Sequence, residues 1–374
     1  MKRLGVIHAY FGKYGGGERL ALSAVKALAD EFEVVVYTLE PPDGDRVRKL
    51  VPDLEEVLDV AEFVAIPRPR LSRALEAAGG LRRLRAIVEA GALLRAAEAG
   101  AELVLDTYTS MPVAPAVYFH YPRLDKILSP GKARGPLRGA YDKVVEVAIR
   151  RTNPRGVRLA LANSQWTAEG VLRDYGLGAE VVHPPVDVEA FSRAAGGPHN
   201  EKTVVTVSRL GEDKRLWFVA DVAAAMRDYE FYIVGTSQRE TPKVLEALRS
   251  RAEALGADNV EVLRDLPRDE LVELMSRAAA YLHPPLPEHF GIAVVEALAA
   301  GLPAVVYRDG GAWTDVVSRL DPLLGYSNAE EAVRALRHAI SNREAIAGLG
   351  TRLAEQFTYE AFRKSLLRAI REAA

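Results

Sequence analysis

Two glutamates, eight residues apart, are the first feature of this sequence that could bind a ligand. Glu288 and Glu296 lie in the run EHFGIAVVE, which follows a proline-rich loop. We predict a helix that begins near Phe290, with Glu288 at its N-terminus and Glu296 about two turns further along. The carboxylates could hold two hydroxyl-bearing parts of one ligand, such as a sugar and a ribose. The N–H groups of Phe290, Gly291 and Ile292 could meet a phosphate or sugar oxygen. An unrelated pair of glutamates, one of them favoured by the helix dipole, is the alternative.

Two cations form a second candidate set. Arg209 and Lys214 lie in the run SRLGEDKRL, between the first predicted strand and the first predicted helix of the second half of the chain. A diphosphate would suit this position, because both positive charges and the N–H groups of the helix start converge there. The alternative is a pair of surface cations that form ion pairs with Glu212 and Asp213.

A glycine-rich run near the N-terminus is the third candidate. Gly16 and Gly17 belong to the sequence YGGGER, between the first predicted strand and the first predicted helix. Glycines let the backbone approach a ligand closely, and a helix start offers N–H groups to a phosphate or to sugar hydroxyls. The run matches neither the dinucleotide-binding pattern G-x-G-x-x-G nor a P-loop. A plain strand-to-helix turn is the alternative.

Short β-rich runs alternate with helical runs along the chain, and these elements must position the candidate residues. The pattern restarts after the Gly- and Pro-rich stretch SRAAGGPHNE. We therefore predict an α/β protein with two doubly wound, Rossmann-like domains, in which the carboxyl ends of the strands face a cleft. The expected parts are an N-terminal domain at 1–192, a linker at 193–201, a C-terminal domain at 202–356, and a helix at 357–374 that packs back on the N-terminal domain.

The individual elements follow from the hydrophobic periodicity of the sequence. The predicted strands are 4–8, 34–38, 103–106, 117–120, 159–163 and 181–183 in the first half, and 204–208, 231–234, 260–263, 280–283 and 304–307 in the second. The main predicted helices are 18–29, 81–97, 139–151, 214–226 and 242–255.

The composition excludes several classes of protein. The 374 residues include 49 Lys and Arg and 51 Asp and Glu, and this near-neutral balance argues against a protein that coats nucleic acid. No cysteine is present, so disulfides, thiol catalysis and Cys-ligated zinc are excluded. The short apolar run at the N-terminus predicts a strand rather than a signal peptide, and we expect a cytoplasmic protein. Few Asn and Gln residues beside many charges are typical of thermophilic proteins.

The candidate runs resemble, in the same order, those of the retaining glycosyltransferases of family 4, which have the two-lobed GT-B fold. EHFGIAVVE is similar to the E-x7-E signature of that family, and GGGER, ANSQWTAEGVL, HPPVDVEAF, the Arg209 and Lys214 pair and DGG at 309–311 also match. These runs span almost the whole chain. Within the family, the motifs most resemble those of the eukaryotic GDP-mannose-dependent α-1,2-mannosyltransferases that act on dolichol-linked oligosaccharide. The motifs shared with that subgroup are His8 and Tyr10 with GGGER, then YFHYP, NSQWT, PPVD and EHFGI.

The resemblance implies a role for each candidate residue. His120, in the loop after a strand, would contact the transferred sugar near the reaction centre, and Glu288 would hold the sugar hydroxyls. Arg209 and Lys214 would neutralise the leaving diphosphate, and Glu296 would bind the ribose. The remaining donor-binding positions would be Gly16, Gly17, Phe290, Gly291 and Ile292. A core histidine is the alternative for His120.

The resemblance also implies the reaction. The chain would be a hexosyltransferase that moves mannose from GDP-mannose to a hydroxyl of a polyprenyl-linked glycan, with retention and without a cofactor or metal. Its N-terminal domain would be the acceptor side, and its C-terminal domain would bind the nucleotide sugar. The alternative is a UDP- or ADP-sugar-dependent transferase that acts on a soluble acceptor. The chain has GTS at 235–237 and PPVD at 184–187, where many family members have G-x-G and N-G-V-D. Both departures agree with the dolichol-linked subgroup, and the first puts a phosphate-binding role of that loop in doubt.

Two further segments bear on partners. Asp43-Gly44-Asp45 has the D-x-D form that binds metal in single-lobed glycosyltransferases, but the turn residues around it favour a plain turn, and we expect no metal site. Residues 64–158 contain 17 Lys and Arg against 8 Asp and Glu, and the helix at 81–97 is amphipathic. Such a helix could lie on an anionic membrane surface, which a lipid-linked acceptor would favour. The alternative is a helix packed on its own sheet, with a solvated basic face.

Overall fold

The chain forms two units. A computed structural model describes residues 1–12, 15–77, 81–122, 143–145, 147, 156–193, 195, 202–238, 240–284 and 286–373. The first unit combines Met1–Pro185 with Glu360–Ala374, and the second unit is Val186–Tyr359. The division at Pro185 precedes the linker predicted at 193–201, because Val186 and the short helix Val188–Ser192 pack into the core of the second unit.

A seven-stranded parallel sheet forms the centre of the first unit, with the order β3-β2-β1-β4-β5-β6-β7. Its strands are β1 Arg3–Ile7, β2 Glu33–Thr38, β3 Glu62–Ala65, β4 Leu103–Asp106, β5 Ala116–Phe119, β6 Leu159–Ala162 and β7 Glu180–Val181. Apolar runs such as EVVVYT in β2 are almost fully buried, as expected for parallel strands that are covered on both faces.

Helices connect these strands, and local signals set their ends. They are α1 Gly16–Ala29, α2 Gly44–Leu50, α3 Val57–Val60, α4 Arg70–Ala77, α5 Arg82–Glu98 and α6 Gln165–Tyr175. The side chain of Ser164 caps α6 by accepting a hydrogen bond from the N–H of Thr167, and α6 ends at Gly176, whose φ is 69°. The NSQWT motif therefore marks the start of a helix that follows β6.

The second unit has a six-stranded parallel sheet in the order β10-β9-β8-β11-β12-β13. Its strands are β8 Thr203–Val207, β9 Glu230–Gly235, β10 Val260–Arg264, β11 Ala280–Leu282, β12 Ala304–Tyr307 and β13 Gly325–Tyr326. Its helices are α7 Val188–Ser192, α8 Trp217–Ala223, α9 Thr241–Leu255, α10 Arg268–Arg277, α11 Ile292–Ala299, α12 Ala329–Ser341 and α13 Arg343–Ala354, with a 3-10 turn at Glu212–Lys214.

The last helix, α14 Tyr359–Ala373, packs within the first unit. Arg363 Nε donates to Asp30 Oδ2 at 2.7 Å, at the end of α1. Arg371 pairs with Glu31, and Arg368 pairs with Glu180 in β7. The first unit is thus assembled from two segments that are distant in sequence.

Each sheet has one point at which the strand order reverses, and such switch points are where ligands bind in doubly wound folds. In the first unit this point lies between β1 and β4, and in the second between β8 and β11. The loops that leave the strands there carry His8 and Thr107 in the first unit and Lys214 and Glu288 in the second.

The prediction of an α/β protein with two doubly wound sheets is confirmed. The short strands β3 and β13 were not predicted, and the helix expected at 214–226 is divided. Lys214 lies in the 3-10 turn and α8 begins only at Trp217, because Arg215 adopts a φ of 48°. The helix expected at 139–151 falls outside the described residues, apart from 143–145 and 147. Within the described ranges, no helix is both long enough and apolar enough to cross a membrane.

Candidate functional site

Three polar side chains meet at the switch point of the second sheet. Lys214 Nζ lies 2.8 Å from Glu288 Oε2, and His283 Nε2 lies 3.4 Å from the same oxygen. The Lys214, His283 and Glu288 side chains are 23%, 8% and 20% exposed, so water shields their charges only in part. We call these three residues the Glu288 cluster. It unites two residues that the sequence indicated separately and adds His283, which was not predicted.

The charge state of Glu288 follows from this environment. Burial by itself would raise the pKa of the Glu288 carboxyl, but the positive charge of Lys214 and the hydrogen bond and charge of His283 outweigh it. The pKa of Glu288 is therefore held well below its usual range, and the carboxylate is ionised at neutral pH. On the other side of His283, Tyr281 Oη lies 3.3 Å from the ring Nδ1 and donates to the Val207 carbonyl, which fixes the ring against β8.

The backbone around Glu288 departs from our prediction. Glu288 forms an isolated parallel bridge with Gly310, and α11 begins only at Ile292, with Gly291 as its N-cap at a φ of 90°. The prediction that Glu288 sits at the helix N-terminus was therefore wrong. Glu288 is in an extended segment before the helix, because the bridge to Gly310 and the left-handed Gly291 separate it from the first turn. The charge of Glu288 is balanced by Lys214 across the cluster.

The other residues of the E-x7-E run lie around α11. The side chain of Phe290 is 3% exposed and packs on Phe357, with ring centroids 5.3 Å apart. Any ligand contact of Phe290 would therefore involve its backbone. Glu296 is half-buried on α11. Burial raises the pKa of Tyr281, and the negative charges of Glu288 and Glu296 raise it further. Both glutamates thus lie near the same buried tyrosine.

Arg209 is placed differently from Lys214. Its guanidinium is 52% exposed and donates to Asp213 at 3.1 Å, and the neighbouring Glu212 pairs with Lys243 at 2.6 Å. The alternative of surface ion pairs thus describes Arg209 in this structure, whereas Lys214 turns inward to Glu288. A phosphate-binding role of Arg209 stays a prediction. For that role, the guanidinium would have to release Asp213 and bind the phosphate instead.

The loop after β9 has a partner that was not predicted. Both the N–H and the hydroxyl of Ser237 donate to the carboxylate of Asp265, at 2.8 Å and 2.5 Å. These hydrogen bonds lower the pKa of Asp265. Asp265 follows β10 and has a φ of 54°. The GTS segment is therefore tied to the end of the next strand.

A cavity of about 790 Å³ lies at the switch point of the first sheet. His120, on its wall, is fixed by three hydrogen bonds. The ring Nε2 donates to the Thr107 carbonyl at 2.7 Å, the backbone N–H donates to Ser110 Oγ at 3.0 Å, and Asn163 Nδ2 donates to the His120 carbonyl at 2.8 Å. The ring is thus oriented by the carbonyl of Thr107, directly after β4, and the backbone of His120 is held by Ser110 and by Asn163 of the NSQWT motif. We call this space the first-unit cavity.

Of the two glycines predicted to bind the donor, Gly17 lines the same cavity. A Cβ atom added to Gly17 would meet nothing within 4 Å. Gly16 begins α1. The N-cap residue is Gly15, which has no side chain that could cap the helix start. His8, which also lines the cavity, was noted only as part of a motif. Burial, followed by the nearby charge of His120, lowers the pKa of His8 to about 3, so His8 is neutral at pH 7.

Two segments considered for other partners have structural roles. Leu93 and Ala97 of α5 pack in the core of the first unit with Ile7 and Val104, which agrees with a helix packed on its own sheet. The membrane contact of this helix stays a prediction. Asp43 is the N-cap of α2 and accepts from the N–H of Arg46 at 3.1 Å, so the D-x-D run marks a helix start rather than a plain turn.

Comparisons with known proteins agree with this architecture. A family model described as "Glycosyl transferases group 1" matches residues 187–362. A relative from Dictyostelium discoideum, named GDP-Man:Man(3)GlcNAc(2)-PP-Dol alpha-1,2-mannosyltransferase, is 23% identical over 398 residues, which cover 91% of this chain and 78% of the relative.

Solved structures extend the likeness to the whole fold. HepE from Anabaena, crystallised with UDP and glucose, superposes with a TM-score of 0.70 at 17% identity and covers 99% of this chain and 100% of its own. WaaG, a glycosyltransferase involved in lipopolysaccharide biosynthesis, gives a TM-score of 0.68 at 18% identity and covers 97% of this chain and 98% of its own. We conclude that residues 187–362 form a glycosyl transferases group 1 domain and that this chain is a glycosyltransferase with the GT-B fold.

Proposed function

We propose that this chain is a retaining mannosyltransferase, which moves mannose from GDP-mannose to a hydroxyl of a lipid-linked glycan and needs no metal ion. The observation that carries the proposal is the Glu288 cluster, in which a lysine and an ionised carboxylate meet at the switch point of the second sheet. The name of the Dictyostelium relative supports the donor and the acceptor.

The cluster suits a sugar diphosphate. An ammonium group has three N–H donors, and in the structure Lys214 directs one of them to Glu288. The other two could reach phosphate oxygens and stabilise the negative charge that develops on the leaving diphosphate. Glu288, which stays ionised, would accept hydrogen bonds from sugar hydroxyls without a change of protonation.

The transfer step would exchange one bond at the anomeric carbon. The bond from that carbon to the donor phosphate oxygen breaks, and a bond to the acceptor oxygen forms on the same face of the sugar. The acceptor hydroxyl gives its proton to the leaving phosphate oxygen. No protein nucleophile is needed for this route, and fixed positive charge at the leaving group would lower the barrier.

The remaining residues keep the roles that the family resemblance implies. In the second unit, Arg209 would join Lys214 at the diphosphate and Glu296 would bind the ribose. In the first unit, His120 would contact the transferred sugar. The further donor contacts would come from Gly16, Gly17, Phe290, Gly291 and Ile292.

Nucleotide binding and transfer test this proposal together. We expect GDP to raise the melting temperature more than UDP or ADP does, because a ligand of the folded state stabilises it according to its affinity. Lys214→Met should reduce the GDP shift, whereas Lys243→Met, which removes an exposed lysine of the same unit, should not. A larger shift with UDP or ADP would overturn the donor assignment. Transfer of radiolabelled mannose to a lipid-linked glycan tests the acceptor, and transfer only to soluble acceptors would contradict it.

The lipid-linked acceptor requires access to a membrane surface. We propose that the basic segment 64–158 of the first unit supplies this contact through attraction to anionic lipids. The membrane contact would be supported if the protein co-sediments with phosphatidylserine vesicles and if the bound fraction falls as salt is added. Equal binding to neutral vesicles would contradict it.

A further inference from the structure

One buried histidine of the second unit has no part in the proposed transfer step. His283 directly follows β11 and is buried. Its ring lies beside Glu288, the carboxylate that would hold the sugar, with the ring Nε2 3.4 Å from Glu288 Oε2. A buried polar ring is costly unless its nitrogens are hydrogen-bonded, so both nitrogens of His283 need partners.

Three other strands of the sheet hold His283 in place. Its backbone N–H donates to the Val305 carbonyl in β12 at 2.9 Å, and its carbonyl accepts a hydrogen bond from Tyr326 Oη in β13. At the ring, Nδ1 lies 3.3 Å from Tyr281 Oη, whose proton goes to the Val207 carbonyl of β8. The position of His283 is therefore fixed by the sheet itself.

The ring is placed to donate hydrogen bonds from both nitrogens. Tyr281 has one hydroxyl proton and gives it to Val207, so its oxygen can only accept from Nδ1. The Glu288 carboxylate is ionised, so it can only accept from Nε2. A histidine that donates from both nitrogens carries a positive charge, which attracts the carboxylate.

Lys214 is a different kind of partner for the same carboxylate. Its Nζ lies 2.8 Å from Glu288 Oε2, but the lysine is on the 3-10 turn after β8 and has a flexible stem. A diphosphate bound to Lys214 would share the positive charge and bring negative charge close to Glu288. Both effects would weaken the hold of the lysine on the carboxylate just when the sugar hydroxyls need it. A second donor that stays in place would keep Glu288 in position.

We propose that His283 is a positioning residue of the transfer reaction, whose Nε2–H holds the Glu288 carboxylate toward the sugar while Lys214 engages the diphosphate of the donor. Both contacts are to Oε2, which leaves Oε1 for the sugar hydroxyls. The 3.4 Å contact should shorten when the donor binds, as hydrogen bonds of active sites often do. This inference rests on the proposed function, since it takes Glu288 as the group that holds the sugar in that reaction.

Two amide substitutions of different length test this role. His283→Gln can place its amide N–H near the position of the ring Nε2, whereas the amide of His283→Asn ends near the position of Nδ1 and cannot reach Glu288. Each variant of the full chain is titrated with GDP and with GDP-mannose by calorimetry, and the ratio of the two affinities reports the sugar contact. His338→Asn is the matched control, because it removes an imidazole–carboxylate contact on α12, where Nε2 lies 2.6 Å from Asp321 Oδ2.

The positioning role predicts a loss that depends on the sugar and on the reach of the amide. His283→Asn should reduce the ratio of GDP-mannose to GDP affinity by about fivefold or more, and turnover by about tenfold to a hundredfold, as expected for loss of a charge-assisted hydrogen bond. His283→Gln should lose less, and the control should lose nothing. All three variants should bind GDP as wild type does, since GDP lacks the sugar. In a Glu288→Gln background, His283→Asn should have little further effect on turnover, because His283 acts through Glu288.

Several results would overturn the inference. Parallel loss of GDP and GDP-mannose binding would show a merely structural role. Equal losses in His283→Asn and His283→Gln, an unchanged ratio and turnover in folded His283→Asn, or full additivity with Glu288→Gln would also contradict it. If His283→Asn does not fold, His283→Phe, which keeps the shape of the ring without a donor, replaces it. If the ratio depends on His283 but no mannose is transferred, the proposed function fails and the positioning of Glu288 stands. If wild type binds UDP-glucose instead of GDP-mannose, the donor assignment fails, and the same variants with UDP and UDP-glucose decide the role of His283.

Discussion

Replacing Lys214 by methionine should destabilise the second unit, because the change leaves the Glu288 carboxylate without its ion-pair partner. The pair joins a 3-10 turn after β8 to the segment after β11, and its Nζ and Oε2 atoms are 2.8 Å apart. The perturbation is best studied as a double-mutant cycle of Lys214→Met, Glu288→Gln and the double variant, which isolates the interaction between the two side chains.

The magnitude follows from distance and exposure. Two unit charges 2.8 Å apart attract by about 1.5 kcal/mol at the dielectric constant of water and by about 6 kcal/mol at an effective constant of 20. Both side chains are about a fifth exposed, and part of this attraction offsets their desolvation and lost rotamer freedom. We therefore expect a coupling free energy of about 2 kcal/mol, within the range for hydrogen bonds between charged groups.

Urea unfolding of the full chain at pH 7 measures this coupling. Trp217 and Trp313 both belong to the second unit, so a Trp166→Phe background makes the fluorescence report on that unit. The exposed pair Arg334 and Glu330 on α12 serves as control, with a similar separation of 2.7 Å. Its coupling should be about 0.5 kcal/mol or less, as for other exposed pairs on helices.

The pH dependence gives a second test with a defined sign. Because the folded state lowers the pKa of Glu288, its contribution is fully present above the unfolded pKa and is lost as the pH falls through the folded value. The stability difference between wild type and Lys214→Met should therefore be largest above about pH 4.5 and shrink in more acidic solution. A coupling no larger than that of the control pair, or a difference that grows in acid, would refute the reasoning.

Three further results are expected. Glu296→Ala should weaken GDP binding. Glu288→Gln should lower turnover by about a hundredfold, and His120→Ala should also lower it. Both of these variants should keep GDP affinity within about threefold, since GDP lacks the sugar. Calorimetry beside a transfer assay checks this, and the reverse behaviour of the two glutamates would exchange their roles. Transfer should survive excess EDTA, and Asp43→Ala should cost about 1 kcal/mol in urea unfolding as a lost helix cap without lowering activity; a strict Mg²⁺ or Mn²⁺ requirement would contradict this. Gly310→Ala should cost about 1–3 kcal/mol and reduce turnover, since its φ is 96° and a Cβ would lie 2.5 Å from the Glu288 carbonyl; unchanged turnover would show that this bridge does not place Glu288.

The elements of the fold were largely readable from the sequence, because parallel strands buried on both faces are short, nearly continuous apolar runs. Leu103–Asp106 and Ala304–Tyr307 have the predicted bounds. The strands that were missed, β3 and β13, are at the edges of their sheets and have only four and two residues, so their apolar signal is weak. The division of the helix expected at 214–226 depends on the positive φ of Arg215, which no pattern of residue types indicates.

The candidate site was predictable only as separate pieces. Lys214 and Glu288 were identified, but their contact depends on β8 lying next to β11, and that strand order is not visible in the sequence. The misplaced helix start at Glu288 has a similar cause, because the bridge to Gly310 joins residues from two different loops. His283 gave no signal, since a histidine at the end of an apolar strand looks like a core residue until its neighbours are known.

The return of α14 to the first unit has a consequence for how the chain is made. The second unit is one uninterrupted stretch, Val186–Tyr359, and its contacts are complete once that stretch has been synthesised. The contacts of the first unit are complete only after Glu360–Ala374 has been synthesised, because arginines of this segment pair with Asp30 and Glu31 near the opposite end of the chain. During synthesis the part that emerges first is therefore completed last, and until then the surface that α14 covers is open to chaperones, proteases and neighbouring chains. Stopping translation before residue 360 should leave a protease-sensitive first unit beside a protected second one.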